Sequence, residues 1–383
     1  MAQSGEIMNL LIERIVPGGD GMGHHEGRTV FVPLSAPGDE LAVRVVDVKP
    51  GYLRGEIKAI LKPGPARIEP VCPLYGECGG CNLMHLSYEA QLEARLDLAK
   101  DAWRRSGGIE DLDFEIVVSR SLGYRNRAQF HRARSGEVGY TRRSSSSVLG
   151  VGTCPILAAP LARWLREQAA CPDRRALDRI LAGKDRFVAF GYLERTFLEG
   201  QDRDLTVEIL GKPLRFDIGG FFQSNLDMVE KLVPAVCSGL SGARAADLYC
   251  GVGLFGTFLK DGFDHLTCVE QETRALGHAC SNVGKAASYA ATSIEDWTKS
   301  SQAREHFDYV VVDPPRAGLS AQVRSWLAAS RAPLIGYVSC DPVSLARDAG
   351  ILVAAGYAIE SATVFDFYPQ TSHVESYVRF RLD

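Results

Sequence analysis

From about residue 243 onward, short apolar runs alternate with longer segments of helical periodicity. The runs "ARAADLY", "HLTCVE", "FDYVVVD" and "PLIGYVSC" read as buried strands bounded by turn residues. Such alternation predicts a parallel sheet with helices on both faces, a doubly wound α/β domain. Residues 1–62 follow another rhythm. "RTVFVPLS", "DELAVRVVDVK" and "YLRGEIKAIL" are β-rich runs separated by turns such as "PGGDGMG" and "APGD". Short strands at this spacing predict a small β-barrel of the oligonucleotide-binding (OB) kind. The Pro-rich "KPGPARIEP" reads as a linker. "LSYEAQLEARLDLAKDAWRRS" predicts a helix over 86–106 that ends at Gly107–Gly108. From 112 to about 215 the pattern gives further short strands around one helix near "LAAPLARWLREQAA". The expected domains are 1–62, 63–215 and 216–383, with the helix at 86–106 packing on the third.

At 383 residues the chain is long enough for two or three domains, each with a core. It has no apolar run near the length of a membrane span. The opening "MAQSGEIMNLLIERI" carries acids early and lacks the basic start of a secretory leader. A cytoplasmic protein with reduced thiols is therefore expected, and its ten cysteines need reasons other than disulfides. Net charge is −4, yet Arg120, Arg125, Arg127, Arg132, Arg134, Arg142 and Arg143 face a single acid, Glu137, within one segment. Tyr124, Phe130, His131 and Tyr140 are interleaved with them. Arginines among aromatics suit phosphate contact and base stacking, which makes this stretch a candidate RNA surface.

Candidate chemistry concentrates at three places. "DLYCGVGLFG" follows a predicted strand and precedes a predicted helix, and Gly251, Gly253 and Gly256 satisfy the dinucleotide fingerprint. Glu270 ends the next strand, where it could bind a ribose hydroxyl. Asp247 just before the loop and Asp313 of "DPPR" favour S-adenosylmethionine (SAM) over a nicotinamide cofactor. A pyrophosphate-binding dehydrogenase has no need of a second carboxylate held by a stiff Pro–Pro turn. Second, Cys340 sits where "YVSCDP" passes from strand to turn; a buried apolar filler is the alternative there. Third, Cys72, Cys78 and Cys81 cluster in "VCPLYGECGGCNLM", with Cys154 of "GTCPIL" the best candidate for a fourth ligand. Four thiolates suit zinc or an iron–sulfur cluster, although the spacing fits zinc templates poorly. Cys171, Cys237, Cys250, Cys268 and Cys280 read as core or near-core fillers.

"CPLYGECGGC" with "CPIL", "GGFFQSN", "DLYCGVGLFG", "DPPRAGL", "YVSCDP" and "HVESYV" stand in that order behind an N-terminal β domain. Together they resemble the RNA uridine-C5 methyltransferases, and within them the iron–sulfur branch acting on large-subunit (23S) ribosomal RNA. The resemblance runs from about residue 10 to the C-terminus. It implies a class I SAM-dependent (Rossmann-like) catalytic domain, an N-terminal OB-like barrel of the TRAM type and a small central iron–sulfur α+β domain. It implies that Cys340 is the nucleophile and Glu375 the general base. Gln223, Tyr249, Gly251, Glu270 and Asp313 would meet the cofactor, and Cys72, Cys78, Cys81 and Cys154 would hold a [4Fe–4S] cluster. Phe221, Gln223, Asp313, Arg125, Arg127 and Arg132 are the expected substrate contacts, and His373 is expected to be structural.

The expected partner is 23S ribosomal RNA, bound by a monomer with no membrane or DNA partner. Two positions depart from the family pattern: Leu254 in the glycine loop, where relatives can carry a polar residue, and Ser293, where many SAM enzymes place an acid near the adenine. The rival readings are a transfer-RNA uridine methyltransferase, a non-catalytic RNA-binding protein with a SAM fold, and a DNA cytosine methyltransferase. The last would need a Pro–Cys nucleophile, which is not present at Cys340.

Overall fold

The computed structural model describes residues 4–133, 135–170, 174–181 and 183–382. Arg134 and Cys171 lie outside the described residues. The N-terminal region is one bent six-stranded sheet in the order Ile7–Leu11, Glu40–Lys49, Tyr52–Lys62, Arg28–Val32, Gly21–His25, Arg14–Ile15. Side chains alternate across each strand, so Met8, Leu10, Val30, Val32, Leu41, Val43 and Leu53 fill its interior. Gly23 lets the sheet curl: a Cβ there would lie 2.1 Å from the carbonyl oxygen of Leu11.

A second, five-stranded antiparallel sheet runs Val148–Gly150, Val138–Thr141, Arg127–Arg132, Arg186–Tyr192, Arg195–Leu198. Phe130 and Phe187 pack beneath Leu161 and Leu165 of the helix Ala159–Ala170. A further helix, Arg174–Leu181, follows where the pattern predicts only one.

The C-terminal layer is an eight-stranded sheet. Its order is Ala287–Ala291, Phe263–Glu270, Gly242–Leu248, Tyr309–Val312, Leu334–Ser339, Glu375–Leu382, Tyr357–Phe365, Glu115–Val117. The first five are mutually parallel, and Glu375–Leu382 runs antiparallel to Leu334–Ser339. Successive residues of the central strands feed opposite cores. Tyr309 and Val311 pack on one face, Val310 and Val312 on the other, as a sheet covered on both sides requires.

The predicted helix over 86–106 is an α-helix at Tyr88–Ala102 that passes into a π-helical turn, Trp103–Gly107. This turn lies on the helix Pro342–Ala354 at a glycine–glycine contact: a Cβ on Gly107 would sit 2.9 Å from the Ala346 carbonyl, and one on Gly350 2.9 Å from that of Gly107. Residues 88–117 are thus built onto the C-terminal sheet although they precede the five-stranded sheet in the chain. No helix among the described residues is long and apolar enough to cross a membrane.

Candidate active site

The glycine loop leaves the sheet at Leu248. Tyr249, Gly251 and Gly253 all adopt left-handed backbone, with φ of +61°, +52° and +79°. Gly253 is also needed for space, because a Cβ there would lie 2.8 Å from Val283 Cγ2 on the neighbouring helix Thr273–Val283. Glu270 braces the loop by accepting the Gly251 N–H (3.1 Å) and the Glu272 N–H (2.8 Å). Asp247 accepts the Gly256 N–H at 2.8 Å, while its other oxygen is buried without a partner. Burial raises the Asp247 carboxyl to about 7 despite that hydrogen bond, with Asp313 and Glu270 adding repulsion.

Strand pairing assembles the next three residues. Asp313 follows Tyr309–Val312, and Cys340 follows the adjacent parallel strand Leu334–Ser339. Glu375 opens the antiparallel strand, whose Ser376 pairs with Ser339. The start of that strand therefore lies at the carboxyl edge of the parallel strands, and Glu375 meets Cys340 there. Glu375 is 3% exposed, and burial holds its carboxyl well above the usual range, with repulsion from Asp313 adding and Arg316 opposing. Burial likewise lifts Asp313 to about 7. The Cys340 thiol is pushed up to about 11, first by burial and then by the charges of Glu375 and Asp313, against the pull of Arg316.

"FFQSN" is pinned at both ends and free in the middle. Phe222 stacks on Phe216, with ring centroids 4.1 Å apart, and Asn225 caps the helix Leu226–Cys237. Between these anchors Gln223 is 7% exposed, and its buried Oε1 has no hydrogen-bond partner. Phe221, by contrast, is 73% exposed at the mouth.

One cavity of about 1390 Å³ joins these groups. It runs from the glycine loop past Gln223, Cys340 and Glu375 to Arg125, Arg127 and the four clustered cysteines. A smaller cavity of about 360 Å³ shares Tyr249 and Glu270 with it and adds Ile294, Glu295 and Leu319. The two departures resolve here. Leu254 is buried against the larger cavity, whereas the Ser293 hydroxyl accepts the Asp296 N–H at 3.1 Å as a helix cap, and nearby Glu295 joins Glu270 as a carboxylate facing the smaller cavity. A deep cavity lined by an unpaired Gln223 oxygen and a left-handed glycine loop fits SAM.

Cys72, Cys81 and Cys154 pack on Met84, Tyr124 and Ile156. Cys78 closes the set from the chain segment bridged to Arg142. All four are free thiols. Burial raises Cys81, with Cys154 and Cys78 next to it adding repulsion, and raises Cys154 to about 11. Among the described residues no group of three or more His, Cys, Asp or Glu is placed to hold a metal ion. The four thiols nonetheless share one end of the cavity.

The arginine segment disperses. Arg125 donates to the Arg127 carbonyl (3.0 Å) and Arg127 to that of Gly220 (2.8 Å), and both line the cavity. Arg132 pairs with Asp178 outside it. Arg120 and Arg142 pair with Asp227 and Glu77, both at 2.7 Å. Cys280 is a correction to the filler reading: it lies on the exposed face of its helix, while Cys237, Cys250 and Cys268 are buried. Arg316 and Tyr368 join the site without having been singled out, although each lies within a few residues of a recognised motif. Exposed His373 stands beside both, 3.5 Å from the Arg316 guanidinium and with its ring centroid 5.8 Å from that of Tyr368.

Residues 2–58 match the TRAM domain family, and residues 201–381 match the family tRNA (Uracil-5-)-methyltransferase. An uncharacterized RNA methyltransferase of Treponema denticola is 32% identical over 93% of this chain and 94% of its own length. The 23S rRNA (uracil(1939)-C(5))-methyltransferase RlmD of Vibrio campbellii is 30% identical over 96% of this chain and 94% of its own. The chain belongs to the RNA uracil-C5 methyltransferases. Its fold agrees with the crystal structure of Pyrococcus abyssi tRNA (uracil-54, C5)-methyltransferase in complex with S-adenosyl-L-homocysteine. That match has a TM-score of 0.71 and 24% identity, over 97% of this chain and 100% of the other. As an RNA uracil-C5 methyltransferase, the protein is a SAM-dependent enzyme with a Rossmann-like catalytic fold behind a TRAM domain.

Proposed function

We propose that this methyltransferase converts one uridine of 23S ribosomal RNA to 5-methyluridine through a covalent Cys340 adduct. The observation that carries the reading is the meeting of Cys340 with Glu375 and Asp313 at one sheet edge, on a cavity that Gln223 also lines. Carbon 5 of uracil is a weak nucleophile. Addition of the Cys340 thiolate to carbon 6 forms an S–C bond and moves an electron pair through the ring onto O4, which activates carbon 5. Bound SAM supplies an electrophilic methyl group to that carbon, leaving as S-adenosylhomocysteine. The Glu375 carboxylate then takes the proton from carbon 5. The electron pair returns to form the C5–C6 double bond and expels the Cys340 thiolate. A carboxyl with a raised pKa suits this proton transfer near neutral pH.

Gln223 and Asp313 face the uracil amide edge and the oxygen that gains charge. Exposed Phe221 offers a stacking surface for a base that must leave its helix to reach Cys340. SAM would sit across the two cavities, its ribose on Glu270, its adenine side toward Glu295, and the loop at Tyr249 and Gly251 against its backbone. Cys72, Cys78, Cys81 and Cys154 would hold a [4Fe–4S] cluster with a structural role, next to Arg125 and Arg127 as substrate contacts. The relative named for 23S rRNA is 30% identical to this chain and the transfer-RNA enzyme 24%, which favours ribosomal over transfer RNA.

A covalent trap tests the reading. With 5-fluorouridine-substituted 23S rRNA fragments and SAM, the enzyme stalls as a protein–RNA adduct visible on a denaturing gel, because fluorine on carbon 5 does not leave as a proton. The adduct is expected with the parent protein and absent in Cys340→Ala. Trapping of transfer RNA alone would overturn the substrate, and no adduct with either RNA would overturn the covalent mechanism.

A further inference from the structure

The segment from Phe367 to Val374 delivers Glu375 to the site. It is held by partners from far away in the chain. Gln370 takes a left-handed backbone (φ +70°) and forms a reciprocal amide pair with Gln91 of the helix Tyr88–Ala102. Gln91 Nε2 donates to Gln370 Oε1 at 3.0 Å, and the Gln370 N–H donates to Gln91 Oε1 at 2.8 Å. Tyr124 donates to the Pro369 carbonyl at 2.9 Å.

Arg95 donates to the Thr371 carbonyl at 3.2 Å, Gln370 Nε2 to the Ser121 carbonyl at 3.1 Å and Asn225 to the Phe367 carbonyl at 3.2 Å. Further ties come from Asn82, the residue after Cys81. Its N–H and that of Leu83 donate to the Gln370 carbonyl at 3.1 and 3.0 Å. Its side chain completes the hold: Oδ1 accepts the Ser372 N–H at 2.9 Å, and Nδ2 donates to Ser372 Oγ at 3.0 Å and to the Gly18 carbonyl at 2.7 Å. The N-terminal domain is shaped around this amide. A Cβ on Gly19, at φ +86°, would lie 2.3 Å from Asn82 Nδ2. One side chain thus ties the N-terminal domain and the cysteine segment to the loop that carries the base. It makes no tie to the strand Leu334–Ser339 or the helix Pro342–Ala354, which carry Cys340.

We infer that Asn82 is a positioning residue for Glu375, the clasp through which the cysteine segment and the N-terminal domain fix the base relative to the nucleophile. The inference rests on the assignment of Glu375 as the base. Because Asn82 holds the base and not the nucleophile, loosening it slows removal of the carbon 5 proton and leaves addition of Cys340 intact. A misplacement of about 1 Å at a reacting group costs roughly a hundredfold in rate. Asn82→Ala should therefore accumulate methylated, covalently attached RNA with ordinary uridine as substrate, while turnover falls roughly ten- to a hundredfold.

The test quantifies adduct and product in single-turnover reactions of full-length protein with a 23S rRNA fragment. It compares Asn82→Ala, Ser372→Ala, Glu375→Gln and the Asn82→Ala/Glu375→Gln double variant. Ser372→Ala removes the Oγ contact from the loop side while keeping the Ser372 N–H bond to Asn82 Oδ1, so it weakens the clasp by a smaller step and serves should Asn82→Ala fail to fold. Adduct accumulation in Asn82→Ala or Ser372→Ala, with no further increase when Asn82→Ala is added to Glu375→Gln, establishes the role. Slow turnover without adduct, or unchanged turnover in both clasp variants, overturns it, provided Glu375→Gln itself accumulates adduct. Absence of adduct in Glu375→Gln would instead refute the base assignment.

Discussion

An ordinary cysteine thiol titrates near 9.0, and Cys340 is raised to about 11. Two units correspond to about 2.7 kcal/mol against ionisation. At pH 8 an ordinary thiol is roughly one-tenth thiolate and Cys340 roughly one-thousandth, so alkylation of Cys340 in the free protein should be about a hundredfold slower than that of a model thiol. Arg316 is the cation opposing this shift. Arg316→Gln should slow alkylation further, by roughly tenfold, given the few kcal/mol a close charge contributes at intermediate dielectric and the partial screening of an exposed guanidinium. The assay follows iodoacetamide labelling of the Cys340 peptide by mass spectrometry from pH 7 to 11, with no RNA present. The rate should climb about tenfold per pH unit without levelling off below pH 10. A plateau at or below pH 9, or faster labelling in Arg316→Gln, would refute the argument that burial and two carboxylates keep the resting nucleophile protonated. The thiolate is thus a minor species until the uridine seals the site and takes its charge.

Further outcomes follow from the same geometry. Asp313 is raised to about 7 from 3.8, so the folded protein holds a proton that the unfolded chain releases, and stability from this group declines as pH rises from about 4 to 7. Asp313→Asn should abolish methylation yet stabilise ligand-free protein relative to the parent by about 2–3 kcal/mol more at pH 7.5 than at pH 5, read as a larger gain in melting temperature; a variant whose gain is no larger at pH 7.5 would contradict this. Gly253→Ala forces a side chain at φ +79° against Val283, and should cost roughly 1–3 kcal/mol and weaken SAM binding in calorimetry; parent-like affinity and melting would count against the loop argument. Cys81→Ser should lose bound iron by elemental analysis and lower the melting temperature while leaving SAM affinity near the parent value, since the cofactor loop lies at the other end of the cavity. Iron retained at the parent ratio would remove Cys81 from the ligand set.

The local signals in the chain announced which residues end strands. Asp247, Asp313 and Cys340 were legible because apolar runs stop at turn-forming residues, and that punctuation is written in neighbouring positions. The parallel strands and the N-terminal β domain were legible for the same reason. Pairing between distant segments was not. Glu375 looks like a surface carboxylate in "SHVESYV"; it becomes a buried base because an antiparallel strand, Glu375–Leu382, inserts beside Leu334–Ser339 and brings its first residue to the carboxyl edge.

The arginine segment reads as one basic face, but its charges meet acids up to about a hundred positions away: Asp227 for Arg120, Asp178 for Arg132, Glu77 for Arg142. Cys280 is exposed because only helix orientation decides which side of Thr273–Val283 meets solvent. Asn82 carries no local mark at all, since each of its side-chain partners, Gly18 and Ser372, lies beyond the reach of sequence neighbourhood. Residue type and spacing determine which groups can do chemistry and where strands end. Long-range hydrogen-bond pairing and charge compensation, formed only on folding, decide which of those groups share a site.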